Sequence, residues 1–410
     1  MNTGGSDGGG GDGSGFSAAR LERLHEVLAG YVQRGEVAGV VTLLDRHGHT
    51  RVDAIGCQDR TRGDPIRRDS LFRIASMTKP ITAVAAMILV EECRLRLDDP
   101  IDALLPELAN RRVLRRIDSP LEDTEPARRA LTLRDLLTFR LGTGVIIGPP
   151  DRYPIQRAMS ELQLIGRKPA IPHAPDEWIR RLGTLPLIYQ PGERWLYHFG
   201  SEVLGVLIAR ASGQPFEVFL RERLFAPLGM ADTGFQVPAD RIERLASCYQ
   251  WNPANQALEP FDDARDSQWS RPPTFPSGGS GLVSSADDYL AFGRMMLHRG
   301  RLGGTRILAR PTVEAMLTDY LTAEQKIGSG FYPGYWDNRG WGFGLAMVTR
   351  RDGPSASPGR FGWDGVYGTS WTADPAEDMV AMLMIQRLDF DPRTRISRDF
   401  WTLVYQAIDD

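Results

Sequence analysis

The sequence predicts an α+β fold in which both ends of the chain contribute strands to one sheet and a mainly helical segment is inserted between them. Three observations carry this reading. Strand patterns occur near the start and again after about residue 340, whereas the middle reads as helices joined by long loops rich in Pro and Arg. No internal repeat divides the 410 residues. The composition, 42% hydrophobic and 25% charged, is that of an average globular chain and excludes a disordered polymer, a collagen-like rod and a coiled coil. The expected division is a disordered Gly-rich tail at 1–15, an α/β sheet domain from 16–94 with 276–410, and a mainly helical domain at 95–275. Clefts at such a junction are where ligands usually bind.

Along the chain, residues 1–15 hold eight glycines and no apolar cluster, so they cannot offset the entropy of ordering. They also lack the charged start and apolar stretch of a secretory leader. Residues 17–34 place Leu21, Leu24, Val27, Leu28 and Tyr31 on one face of an amphipathic helix. Strand-like runs at 39–46 and 51–56 flank a turn at His47-Gly48-His49 and predict a β-hairpin. Residues 70–92, dominated by Ala, Ile, Val and Met, read as a helix. Further helices are expected at 132–139, 176–182, 201–212 and 215–225. Strands follow at 341–349, 361–363, 369–374 and 379–386, and a last helix covers about 397–408. The segment 144–175, with five prolines between 149 and 172, is expected to shape the entrance to a cleft.

Lys plus Arg is 49 against 52 Asp plus Glu, a net charge of −3, so no overall field grips nucleic acid or an anionic membrane. The longest apolar run, 81–90, is about half a membrane span and is interrupted by Thr82. No nucleic-acid or membrane partner is expected, and the number of subunits is left open. Cys57, Cys93 and Cys248 are too few for a disulfide framework and read as small hydrophobes. Together with the missing leader they predict a cytoplasmic protein. Only three of the 49 basic residues are lysines: Lys79, Lys168 and Lys326. Unlike arginine, lysine can deprotonate near neutral pH when its surroundings lower its pKa.

One of these lysines lies in a short chemical motif. Ser76-Met77-Thr78-Lys79 fits S-x-x-K, and with 21 serines and three lysines about 0.15 such matches are expected by chance. An i, i+3 pair shares a helix face, so the Lys79 amine can reach the Ser76 hydroxyl. Pro80 fits only the first turn of a helix, which places Ser76 at the N-terminus, where free N–H groups favour negative charge. The apolar residues that follow would bury the segment and lower the lysine pKa. The plain alternative is an ordinary helix start with a solvated lysine.

The stretch Phe72-Arg-Ile-Ala-Ser-Met-Thr-Lys-Pro-Ile-Thr-Ala resembles the nucleophile segment of serine β-lactamase-related hydrolases. That superfamily includes class C β-lactamases, D-alanyl-D-alanine carboxypeptidases, family VIII carboxylesterases and some acyltransferases. Further similar pieces follow in the family's order. They are Leu131-Thr-Leu-Arg-Asp-Leu-Leu-Thr, Gln190-Pro-Gly-Glu-Arg-Trp-Leu-Tyr197, Phe225-Ala-Pro-Leu-Gly-Met-Ala-Asp-Thr-Gly-Phe and Ser277-Gly-Gly-Ser-Gly-Leu-Val-Ser-Ser-Ala-Asp-Asp-Tyr. The resemblance covers roughly 17–408 and implies a β-lactamase/transpeptidase-like fold, with an antiparallel sheet flanked by helices.

It also implies roles for further residues. The family's Tyr-x-Asn motif meets Tyr197-His198-Phe199 here, so the proton-shuttle role carries to Tyr197 while the amide contact of the asparagine is lost at Phe199. His198 is expected to support the site, not to act as its base. The third motif, commonly Lys-Thr-Gly or His-x-Gly on an edge strand, aligns with Trp363-Asp364-Gly365, which resembles the Trp-Gly-Gly of family VIII esterases. Trp363 replaces a cation that helps bind a carboxylate, and Asp364, facing the cleft, would repel one. Gly365 would let substrate approach the backbone. The N–H groups of Ser76 and Val366 would form the oxyanion hole. Sheet packing is the plain alternative for Trp363, and a half-buried core tyrosine for Tyr197.

Other chemistries find little support. No G-x-S-x-G elbow occurs, the six histidines show no metal-ligand spacing, and Gly-rich segments lack the phosphate-loop lysine, so no metal or other cofactor is implied. Asp98-Asp99 and Asp262-Asp263 read as loop or capping carboxylates. The expected function is a serine hydrolase acting on a small-molecule ester or amide through an acyl-enzyme, with carboxylic esters favoured by Trp363. A β-lactamase, an acyltransferase with the same Ser-Lys-Tyr groups and a slowly deacylating sensor stand as alternatives. Whether Lys79 or Tyr197 is the general base stays open, because the two would titrate as a coupled pair.

Overall fold

The computed structural model describes residues 13–166, 168, 170–355, 357–388 and 395–410. Its main sheet joins the two ends of the chain. Strands β1 (Gly39–Arg46), β2 (His49–Asp59) and β3 (Asp64–Pro65) come from the start. Strands β4 (Arg339–Trp341), β5 (Ala346–Val348), β6 (Phe361–Asp364), β7 (Ser370–Asp374) and β8 (Met379–Met384) come from the end. The order is β4-β5-β6-β7-β8-β1-β2-β3, with every neighbouring pair antiparallel. The β1–β2 hairpin turns at His47 and Gly48, whose φ values of 53° and 80° match the twist of the flanking strands.

Strand periodicity sets the layers. In β1 and β8, Val40, Leu44, Ala381 and Leu383 face one way, onto Leu24 and Leu28 of α1 (Ala18–Gln33) and Phe400 and Val404 of α5 (Arg395–Gln406). Val41, Leu43, Val380 and Met382 face the other way, onto the larger core. That core holds α2 (Thr78–Glu91), α3 (Phe199–Ser212) and α4 (Ala286–Leu297). From Thr78 to Leu89 every side chain of α2 is buried, the pattern of a helix covered on all sides.

Several details differ from the sequence reading. Residues 70–74 are not helical: Phe72 and Arg73 pair with Ser284 and Val283, and this long-range pairing overrides the local apolar pattern. The 341–349 stretch is two short strands, broken where Gly344 takes φ 77° against α2. The middle of the chain contains a β-hairpin, Cys248–Asn252 with Ala257–Asp262, where only helices and loops were expected. Strand β6 is not an edge strand. It pairs with β7 along its length and with β5 at Phe361 and Gly362, so Trp363 and Asp364 run past the end of β5. The Gly-rich start falls outside the described residues up to position 12. Ser14 and Gly15 are packed: Ser14 is buried, its carbonyl accepts from Arg46, and Gly15 O accepts from Asp409 N–H.

Candidate active site

The S-x-x-K residues sit where a short 3₁₀ turn, Ala75–Met77, leads into α2. Ala75 has φ 44°, a conformation costing a non-glycine residue about 1 kcal/mol, so the turn must be held from outside. Arg73 does much of that. Its side chain is fully buried, donates to Ala246 O (2.6 Å), Gln386 Oε1 (3.1 Å) and Ser267 Oγ (3.1 Å), and pairs with Asp262. Asp262 is thus not the loop carboxylate the sequence suggested; it is fully buried and also lies 2.9 Å from Lys168 Nζ. From the other side Tyr289 Oη donates to Met77 O (2.8 Å), and Ile74 N–H donates to Leu282 O (3.1 Å).

Lys79 Nζ is buried and lies 2.8 Å from Ser76 Oγ, 2.6 Å from Gly279 O and 3.3 Å from His198 Nδ1. It also sits 4.5 Å from the centre of the Tyr197 ring. Tyr197 belongs to an aromatic cluster with Phe139, Trp195, Phe331, Trp341 and Trp363. Its oxygen accepts a 2.8 Å bond from Trp363 Nε1, which leaves the phenol's own proton to donate elsewhere. Burial pushes the Tyr197 phenol well above its ordinary pKa, and the bonds with Ser76 and Trp363 only partly oppose that. The tyrosine is a protonated donor at neutral pH.

The remaining predicted residues gather around the same cavity of about 1460 Å³, which Ser76, Tyr197, His198, Trp363, Asp364, Gly365 and Val366 all line. Trp363 does not reach it as an open contact surface alone, because its N–H is committed to Tyr197. Asp364 accepts from Ser370 Oγ. Packing alone requires a glycine at 365: a Cβ there would lie 2.4 Å from Ile74 O and 2.3 Å from Thr369 Oγ1. The glycine lets the chain after β6 close against the turn that carries Ser76. Phe199, in the place of the family's asparagine, points into the core against Trp178, where its burial contributes about 2 kcal/mol. Residues Val145, Ile147, Ile165 and Ile171 of the 144–175 segment line the same cavity.

Two groups escaped the sequence reading. Glu202, one turn beyond His198, is buried with Oε1 3.0 Å from His198 Nε2. Burial alone would raise its pKa, but His198, Ser277 and the charge of Lys79 together hold it below the ordinary value, so it is ionised. The i, i+4 spacing of His198 and Glu202 was visible in the sequence. Arg339 of β4 lines the cavity too, 4.9 Å over the Tyr335 ring. Burial works against its charge, yet Tyr335, Tyr332 and Asp364 hold it above its ordinary pKa. The cleft wall therefore does contain cationic side chains, and Asp364 is among the groups that favour the charge on Arg339. Among the described residues no group of three or more His, Cys, Asp or Glu could hold a metal ion.

Comparison with known proteins identifies the family and the fold. A family model described as Beta-lactamase matches residues 24–406. The chain is 41% identical over 358 residues to protein Rv1367c of Mycobacterium tuberculosis, covering 86% of each. It is 32% identical over 390 residues to esterase EstB of Burkholderia gladioli, covering 90% of this chain and 91% of the relative. The solved structure of EstCE1, a hydrolase with promiscuous acyltransferase activity, superposes with a TM-score of 0.77 at 24% identity, over 94% of this chain and 98% of that one. The chain belongs to the beta-lactamase family, within the serine β-lactamase/transpeptidase-like superfamily.

Proposed function

We propose that this chain is a serine hydrolase that turns over carboxylic esters through an acyl-enzyme on Ser76. One observation carries the reading: the buried Lys79 amine 2.8 Å from Ser76 Oγ, with Tyr197 beside both. Its kinship with an esterase and with a hydrolase that also transfers acyl groups supports the coarser class, hydrolase or acyltransferase.

In this reading Ser76 Oγ attacks the ester carbonyl as its proton passes to the Lys79 amine, directly or relayed through the Tyr197 phenol. The N–H groups of Ser76 and Val366 stabilise the oxyanion. The tetrahedral intermediate collapses with release of the alcohol, which takes a proton from Tyr197. Water then attacks the acyl-Ser76 carbonyl, gives up a proton to the same groups, and the carboxylic acid leaves as Ser76 is restored. No cofactor takes part.

The cavity supports esters with a sizeable apolar part. Phe235, Phe275, Phe331, Ile146 and Ile171 line it, and about 1460 Å³ exceeds the usual range for one small ligand. That volume also supports a second reading, transfer of the acyl group to an alcohol bound beside it. We further place the enzyme in the cytoplasm, since Cys57, Cys93 and Cys248 are free thiols.

The test is hydrolysis of p-nitrophenyl acetate and butyrate beside nitrocefin, by the wild type and Ser76→Ala. Ester turnover lost in the variant, with slow nitrocefin cleavage, is expected. Faster nitrocefin cleavage would favour a β-lactamase, and a stable acyl adduct without turnover a sensor. Ester turnover surviving Ser76→Ala would remove the nucleophile assignment.

A further inference from the structure

We propose that His198 and Glu202 form a positioning pair that aims the lone pair of Lys79 at the Ser76 hydroxyl. The inference rests on the acyl-enzyme reading above and adds to it a reason why the amine is oriented as a base.

The pair is built at some cost. Phe199 N–H donates to Tyr197 O, two residues back, and His198 between them has φ 87° and ψ −58°. That is a γ-turn of the rare, strained hand, and strained backbone of this kind persists where its surroundings fix it. The surroundings are specific. Glu202 accepts from Ser277 Oγ (2.6 Å), from Gly279 N–H (3.3 Å) and from His198 Nε2 (3.0 Å). A Cβ at Gly279 would lie 2.7 Å from Glu202 Oε1 and 2.9 Å from His198 Cε1, so the loop can close over the pair only with glycine there.

The hydrogen-bond roles then follow in order. An ionised carboxylate only accepts, so in the neutral imidazole Nε2 carries the proton and Nδ1 offers its lone pair. Nδ1 lies 3.3 Å from Lys79 Nζ and takes one of its N–H groups. Gly279 O, another pure acceptor, takes a second at 2.6 Å. A neutral amine has two N–H groups and one lone pair. With both N–H groups directed to these acceptors, the lone pair faces the Ser76 O–H at 2.8 Å, the orientation in which the amine can accept the proton. Protonating the imidazole would set donor against donor across the 3.3 Å gap.

Around Lys79 and His198, α3 supplies the Glu202 charge, the segment before it the Tyr197 phenol, and β6 the Asp364 carboxylate beyond that phenol. The loop Ser277-Gly-Gly-Ser280 brings hydroxyls and backbone but no charge.

The test is the rate at which a fluorophosphonate probe labels Ser76, followed by intact-mass spectrometry across a pH series, with thermal melts to establish folding. Wild type is compared with His198→Leu, His198→Gln and Glu202→Gln. In His198→Leu labelling should slow about tenfold or more. His198→Gln, whose amide oxygen can still accept from Lys79, should recover most of the rate. In Glu202→Gln the acid limb should move to lower pH, because the charge that favours the ammonium form of Lys79 is gone. A folded His198→Leu labelled at the wild-type rate, or an acid limb unmoved in Glu202→Gln, would overturn the pair. A wild type not labelled at Ser76 would overturn the acyl-enzyme reading itself, which the variants cannot mimic.

Discussion

The indole N–H of Trp363 donates a 2.8 Å hydrogen bond to the phenol oxygen of Tyr197. In the proposed mechanism Trp363 thus acts on the tyrosine that passes the proton. Trp363→Phe keeps the apolar plate and removes the donor. A hydrogen bond of this kind is worth about 1 kcal/mol, so kcat should fall by up to about tenfold with KM little changed. Trp363 also lowers the Tyr197 pKa, so without it any pH–rate limb that belongs to Tyr197 should move upward. A limb that belongs to Lys79 should stay in place, and the pH profile of the variant therefore also assigns the base.

Gly365→Ala should damage catalysis more than stability. Its Cβ would meet Ile74 O at 2.4 Å, and relief means moving β6 and Val366 away from the nucleophile turn. Misplacement of that size costs on the order of a hundredfold in kcat. Ester kinetics set against a thermal melt separate the two effects.

Charge balance in the cleft wall gives a specificity prediction. Asp364 favours the charge on Arg339, and both line the cavity. Asp364→Asn removes a negative charge from the wall beside that guanidinium. KM for a p-nitrophenyl ester bearing a carboxylate should then fall about fivefold relative to the butyrate ester. Equal change for both esters would show that Arg339 does not sense the substrate.

What could be read in the sequence was local. Ser76 and Lys79 are three residues apart on one helix, and Pro80 marks where that helix begins. The β1–β2 hairpin is announced by its turn, and the last helix by its apolar stripe. What escaped was set by partners distant in sequence. Arg73 and Asp262 are 189 residues apart, and nothing near Asp262 marks it as the counter-charge beneath the nucleophile turn. Arg339 comes from a strand two places from β6, a relation that exists only after the sheet has formed. Phe72 and Arg73 look helical because their neighbours are apolar, yet their backbone partners are Ser284 and Val283. The His198–Glu202 spacing is the exception: it was local, and its meaning depended on Gly279 closing over it.

The three thiols should differ sharply in reactivity. Cys93 is exposed, whereas Cys248 is buried and burial pushes its thiol up to about 12. Only the thiolate reacts. Titration with a chromogenic disulfide in the native state should modify Cys93 with ester turnover retained, and Cys248 only on unfolding. Loss of turnover in step with the first thiol would contradict this assignment.

Acid should act on the scaffold through Asp262. Burial alone would raise its pKa; the charge of Arg73, the Ser267 hydroxyl and Lys168 outweigh burial and depress it. A carboxyl with a depressed folded pKa contributes stability above its unfolded value, about 4, and loses it as the pH falls through the lower folded value. Asp262→Asn keeps the shape but leaves the fully buried Arg73 without its counter-charge. Breaking a buried pair in this way costs about 3–5 kcal/mol, so at neutral pH the variant should unfold at markedly lower denaturant. Below pH ~4 the unfolded chain takes up this proton first and the folded carboxyl only at its lower value, so the wild type loses that stability and the gap between the two proteins should narrow. A gap that stays constant from neutral pH into acid would mean that the stability lost in the variant comes from packing, and that the Arg73–Asp262 charges contribute nothing that protonation can remove.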